Sequence, residues 1–91
     1  MQPNVVIYTT AWCPFCIRAK MLLEHKQVAY TEIKVDSDPA KRQEMTERSQ
    51  RRTVPQIFIG DTHVGGCDDL FHLERTQALD PLLGLTPTTE Q

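Results

Sequence analysis

Residues 5–23 read Val5-Val6-Ile7-Tyr8-Thr9-Thr10-Ala11-Trp12-Cys13-Pro14-Phe15-Cys16-Ile17-Arg18-Ala19-Lys20-Met21-Leu22-Leu23. Val5 to Thr9 is a run of β-branched and aromatic residues closed by small and polar ones, the signal of a buried strand. Pro14 suits the first position of a helix, where its missing N–H costs nothing, and this makes Cys13 the N-cap. Cys16, Ala19, Leu22 and Leu23 recur at i, i+3, i+6 and i+7 and form one apolar face, with Arg18 and Lys20 largely off it. The pattern predicts a helix from Pro14 to Lys26, whose cationic end suits the negative end of the helix dipole.

Outward from this unit, a second strand is expected over about Ala29–Lys34. A second helix, capped by Asp38 and opened by Pro39, runs to about Ser49 on thin apolar content (Ala40, Met45). Gln56 to Ile59 reads as a third strand, Gly60-Asp61 as a hairpin dipeptide, and Thr62 to Val64 as a fourth strand ended by Gly65-Gly66. A third helix starts near Cys67, with Asp68 and Asp69 set against its positive end and Leu70, Phe71 and Leu73 supplying its apolar side. Asp80-Pro81 opens a last helical turn carrying Leu82 and Leu83. The order is β-α-β-α-β-β-α. The first β-α-β is expected to be right-handed with parallel strands, and the hairpin antiparallel. An α/β fold with a four-stranded mixed sheet and helices on both faces accommodates both.

A chain of 91 residues is one small domain, expected over residues 1–85, with residues 86–91 a flexible tail that carries Pro87 and no apolar side chain. The net charge of −2 argues against non-specific nucleic-acid binding. No apolar run approaches the ~20 residues that span a bilayer. The first ten residues lack the basic and apolar regions of a secretory signal. Three cysteines are too few, and odd in number, for a secreted disulfide scaffold. A cytoplasmic protein in which Cys13 and Cys16 do chemistry fits better.

Two cysteines three residues apart at a helix start can meet, and they are not equivalent. Cys13 sits where unpaired backbone N–H groups and the dipole favour a thiolate, the nucleophilic form. Cys16 shares the apolar face and stays a sheltered thiol. The expected roles are an exposed attacking Cys13 and a buried resolving Cys16, with Arg18, Lys20, Arg51 or Arg52 assisting if the fold brings them near. Two other readings of the pair stand beside this one: a metal knuckle or an inert core pair. Zinc needs four ligands, and Cys67 with His63 or His72 would have to complete the set. There is no second Cys-x-x-Cys, and His25, His63 and His72 have no ligand spacing, so they read as surface or partly buried side chains. The spacing from Gly60 to Gly65 is not a phosphate loop, since no Gly-Lys-Ser/Thr follows.

Cys13-Pro14-Phe15-Cys16 after the first strand, Thr53-Val54-Pro55 before the third, and Gly65-Gly66-Cys67-Asp68-Asp69 at the third helix occur together in order. This combination resembles the glutaredoxins, most of all the bacterial glutaredoxin 3 type, over about Val5 to Leu83. The resemblance implies a thioredoxin-like fold and a glutathione-dependent thiol–disulfide oxidoreductase. Members reduce protein disulfides by a dithiol route and glutathione mixed disulfides through the first cysteine alone. They are recharged by glutathione, which NADPH and glutathione reductase regenerate. Glutathione is then a co-substrate, with no tightly bound cofactor and no metal, and the chain a monomer.

Residue by residue, the resemblance implies a glutathione site of Phe15, Thr53, Val54, Pro55, Gly66, Cys67 and Asp68, with Asp69 a weaker candidate. It implies a cis Val54–Pro55 bond, whereas the residues alone suggest an ordinary trans proline at a strand start. Gly66-Cys67-Asp68 matches the segment that takes the γ-glutamyl end: helix N–H groups suit its carboxylate and Asp68 its ammonium. Cys67 is expected to be an accessory thiol. Phe15 stands where tyrosine is usual. Thr10 stands where many relatives carry a lysine for the glycine carboxylate of glutathione, and Arg52 or Gln56 is expected to replace that contact. Trp12 either packs beside the site or meets protein substrates. The competing functions are a thioredoxin-like reductant fed by thioredoxin reductase and a glutathione-ligated iron–sulfur carrier, which Pro14 disfavours.

Overall fold

The computed structural model describes residues 3–85, so the expected tail at 86–91 lies outside the described residues. The elements are β1 (Val5–Thr9), α1 (Pro14–His25), β2 (Thr31–Lys34), α2 (Pro39–Ser49), β3 (Gln56–Ile59), β4 (Thr62–Gly65), α3 (Cys67–Arg75) and α4 (Leu79–Leu82). The sheet order is β2-β1-β3-β4. β1 pairs parallel with β2, and β3 is antiparallel to both β1 and β4. This is the mixed sheet expected from the sequence, in the thioredoxin-like arrangement.

Alternation along the strands divides the core into two layers. Val5 and Ile7 of β1 and Ile57 and Ile59 of β3 face one side, where they pack with Ala19, Leu22, Leu23, Leu70, Leu79 and Leu83. Tyr8 and Phe58 face the other side with Val35 and Met45, beneath α2. Met45 is fully buried and is the principal apolar anchor of α2, which explains how a helix of thin apolar content docks at all. Both long helices open as read: Cys13 and Asp38 are N-caps in extended conformation, each followed by proline.

Three boundaries differ from the sequence reading. α1 ends at His25, and Lys26 is its C-cap. Gln27 then turns left-handed (φ 61°) and the Val28 N–H returns to Leu23 O at 3.3 Å. That closure takes up Ala29 and Tyr30, so β2 starts at Thr31, where pairing with Val6 begins. The last turn starts at Leu79 rather than Asp80, because Leu79 is wholly buried and its helical turn carries it inward. Lys26 does more than suit a dipole. Its ammonium reaches Glu74 (2.7 Å) and Asp80 (2.8 Å), joining the end of α1 to α3 and α4.

Candidate active site

The loop between β1 and α1 presents Cys13. The Ala11 N–H donates to Asp36 Oδ2 at 3.0 Å, which ties this loop to the one after β2. Trp12 then adopts φ 61°, an uncommon conformation for a bulky residue, and reverses the chain into the helix. Its side chain is 96% exposed, so it does not pack beside the site. At the helix start the Cys16 N–H donates to Cys13 Sγ at 3.1 Å, so one of the orphan donors of the first turn ends on sulfur.

The two thiols lie in different surroundings. Cys13 is partly exposed and Cys16 is buried at 1% exposure, with no bond between the two sulfurs. Burial, then the neighbouring Cys13, pushes the Cys16 thiol up to about 12. Cys67 is also buried, and burial raises its thiol. The cations expected to assist are otherwise engaged. Lys20 pairs with Glu32 at 3.0 Å, a carboxylate that also accepts from the buried Thr9 hydroxyl at 2.7 Å. Arg51 pairs with Asp69 at 3.2 Å. The Arg18 guanidinium lies 5.9 Å from the Phe71 ring centroid.

Beside the cysteines lies an open groove of about 200 Å³. Phe15 forms one wall and Thr53, Val54 and Pro55 another, while Gly66, Cys67, Asp68 and Asp69 close the end. The Val54–Pro55 bond is cis. Seven residues expected at the glutathione site from resemblance, and Asp69 with them, therefore share one concavity although they come from three distant stretches of chain. The end of the groove is held from within. Asp69 Oδ2 accepts from the Gly66 N–H at 2.9 Å, and this bond and Arg51 keep its carboxyl below the usual carboxylate range. Gly65 has φ 115°, and a Cβ there would run into the Asp69 carboxylate.

Thr10, Arg52 and Gln56 do not line this groove. Gln56 is fully buried: its amide nitrogen donates to Thr53 O (3.0 Å) and Thr53 Oγ1 (3.2 Å). The expectation that it meets the glycine carboxylate is corrected accordingly, since it supports Thr53 from behind. Arg52 is exposed, and its carbonyl accepts from Arg42 at 3.4 Å. Thr10 is half-buried in the loop between β1 and Cys13. Sequence reading missed Asp36 and the Arg51–Asp69 pair, because contacts across 25 and 18 residues leave no local pattern. Among the described residues no group of three His, Cys, Asp or Glu side chains converges to hold a metal ion, and no helix is long and apolar enough to cross a membrane.

The chain is similar to known proteins over most of its length. The glutaredoxin family model matches residues 5–64. A glutaredoxin of Pseudomonas aeruginosa is 60% identical over 82 residues, covering 90% of this chain and 98% of that protein. Glutaredoxin 3 of Escherichia coli is 56% identical over 80 residues, 88% and 96% of the two chains. The crystal structure of a buckwheat glutaredoxin–glutathione complex superposes with a TM-score of 0.82 at 30% identity, covering 90% of this chain and 77% of that one. A dithiol pair capping a helix, on a fold shared with these proteins and at identities this high over nearly the whole chain, leads to one conclusion: the chain belongs to the glutaredoxin family of thiol–disulfide oxidoreductases.

Proposed function

We propose that the chain reduces protein disulfides through Cys13 and Cys16 and glutathione mixed disulfides through Cys13 alone, with glutathione seated in the groove beside them. The observation that carries this reading is the contrast between a partly exposed Cys13 and a buried Cys16 at adjoining positions of one helix turn.

The Cys13 thiolate attacks one sulfur of the substrate disulfide. A Cys13–S bond forms, the substrate S–S bond breaks, and the departing thiolate takes a proton. In the dithiol route Cys16 loses its proton and attacks the Cys13 sulfur, releasing the second substrate thiol and leaving a Cys13–Cys16 disulfide. Two glutathione molecules then restore both thiols and leave as glutathione disulfide. In the monothiol route Cys13 attacks the glutathione sulfur, the protein thiol leaves, and a second glutathione frees Cys13. Burial of Cys16 suits this division, because a thiol held protonated does not compete with incoming glutathione.

The groove matches an extended tripeptide. Backbone beside the cis Val54–Pro55 bond is available for strand-like pairing. Asp68 faces the groove as a counter-charge for the γ-glutamyl ammonium, and the first N–H groups of α3 suit its carboxylate. That a family member of the same fold is known in complex with glutathione supports the assignment. We assign exposed Trp12 to contact with protein substrates. Electrons come from NADPH through glutathione reductase, in the cytoplasm, to a monomer.

The test follows NADPH consumption with a glutathione mixed disulfide, comparing glutathione plus glutathione reductase with thioredoxin reductase alone. Turnover with glutathione only, kept by Cys16→Ser and abolished by Cys13→Ser, is the expected result. Turnover with thioredoxin reductase only would refute the glutathione reading.

A further inference from the structure

Beside the groove runs a part-buried chain of hydrogen bonds that the reaction above does not use. Gln56 is fully buried, and its side chain lies between Thr53 and His63. The direction of every bond in the chain follows from chemistry. The Thr53 carbonyl can only accept, so the Gln56 end 3.0 Å from it is the NH₂. The same NH₂ lies 3.2 Å from Thr53 Oγ1. The Gln56 carbonyl oxygen therefore faces His63 Nε2, at 2.8 Å. An amide oxygen only accepts, so His63 must carry its proton on Nε2. The ring is held for this: it stacks on Phe58, with centroids 4.8 Å apart and planes at 28°. Burial, and after it the nearby Arg51, lower its pKa.

At the other end, Thr53 Oγ1 accepts from Gln56, and Thr53 is an exposed residue of the groove wall. An unclamped threonine hydroxyl rotates freely between donor and acceptor roles. Here one lone pair is taken from within the protein, so the hydroxyl proton is turned away from Gln56. We propose that His63 and Gln56 are positioning residues that set the Thr53 hydroxyl as a hydrogen-bond donor to a carbonyl or carboxylate oxygen of the glutathione backbone. This rests on the reading of the groove as the glutathione site. Neither His63 nor Gln56 touches the ligand; they act by removing the ordering cost that a free hydroxyl meets on binding.

The first test needs no variant. The ¹⁵N shifts of His63 in the intact protein report its tautomer. A protonated Nε2 with a bare Nδ1 is expected, and the opposite tautomer would overturn the chain. The second test is kinetic, with the cysteine–glutathione mixed disulfide as substrate. Thr53→Val raises its KM about fivefold, the size of one lost neutral hydrogen bond, with kcat nearly unchanged. His63→Leu moves KM the same way, and His63→Gln, which keeps an N–H near Nε2, restores it. In the Thr53→Val background His63→Leu adds nothing. Additive effects would show that His63 does not act through Thr53 and would defeat the proposal. Asp68→Asn separates the two levels. If it raises KM while Thr53→Val does not, the groove stands and the proposal falls. If neither variant changes KM, the groove reading falls and takes the proposal with it.

Discussion

The sulfur of Cys13 accepts a hydrogen bond from the Cys16 backbone N–H at 3.1 Å, so the first cysteine caps the helix whose first turn buries the second. One turn of backbone thus produces two chemically different thiols. One sulfur accepts from a helix N–H at the surface, and the other is buried.

Selective alkylation is the direct consequence. Burial and the neighbouring Cys13 keep the Cys16 thiol protonated well above neutral pH, and its sulfur is buried besides. Iodoacetamide at neutral pH is expected to label Cys13 first and to leave Cys16 and Cys67 unlabelled until the protein is unfolded. Peptide mass spectrometry over a time course reads the order. Equal rates at Cys13 and Cys16 would contradict the assigned roles.

Gly65 tests the end wall of the groove. Gly65→Ala puts a side chain on a residue at φ 115° and drives its Cβ into the Asp69 carboxylate. The Asp69 bonds to the Gly66 N–H and to Arg51 are then lost together. A destabilisation of about 1–3 kcal/mol is expected, along with a higher KM for glutathionylated substrate. Denaturant melts and steady-state kinetics measure the two effects. A variant with unchanged KM would show that the wall plays no part in binding.

The Lys26 junction predicts a stability effect without a catalytic one. Its side chain is 14% exposed and bonded to two carboxylates on other helices. Such a pair lies between a surface ion pair and a buried one, so Lys26→Ala is expected to cost about 1–3 kcal/mol. Activity at 25 °C stays near that of the parent, since the junction lies at the end of α1 away from Cys13. A melting temperature identical to the parent's would show the junction to be idle.

Alkaline pH should weaken the fold in a defined window. Unfolded Cys16 loses its proton near 9.0, whereas the folded thiol holds it to about 12. Between these values the native state binds more protons, so rising pH favours unfolding. The contribution is whole below pH 9 and is lost as pH climbs toward 12. Tyr30, raised from 10.0 to about 12 by burial and its bond to Glu24, acts in the same sense. Melting temperatures from pH 8 to 11 are expected to fall more steeply for the parent than for Cys16→Ala. Parallel curves would refute the assignment to Cys16.

Much of the fold was readable along the chain. Asp38-Pro39 announced α2 as plainly as Cys13-Pro14 announced α1, because caps and helix-opening prolines act within a few residues. The strand signals at Val5–Thr9 and Gln56–Ile59 were equally local. The start of β2 was not, because the closure of α1 through Gln27 consumes residues that read as strand. Of the site, Cys13 and Cys16 were legible from their spacing at a helix start directly after a strand, in a β-α-β context. Thr53, Val54, Pro55 and the Gly66–Asp69 segment were legible only through family resemblance. Gln56 was misread, since a polar residue opening a strand gives no sign of which way it faces.

The sequence by itself determined the elements, their order and the two unequal cysteines, all of which rest on forces acting within one helix turn or one strand. Tertiary structure alone decided that Lys20 belongs to Glu32 and Arg51 to Asp69, that Asp36 anchors the nucleophile's loop, and that Gln56 joins His63 to Thr53. These are contacts between residues far apart in the chain. Their partners are chosen by the crossing of the sheet and helices, which brings together side chains that no local pattern pairs.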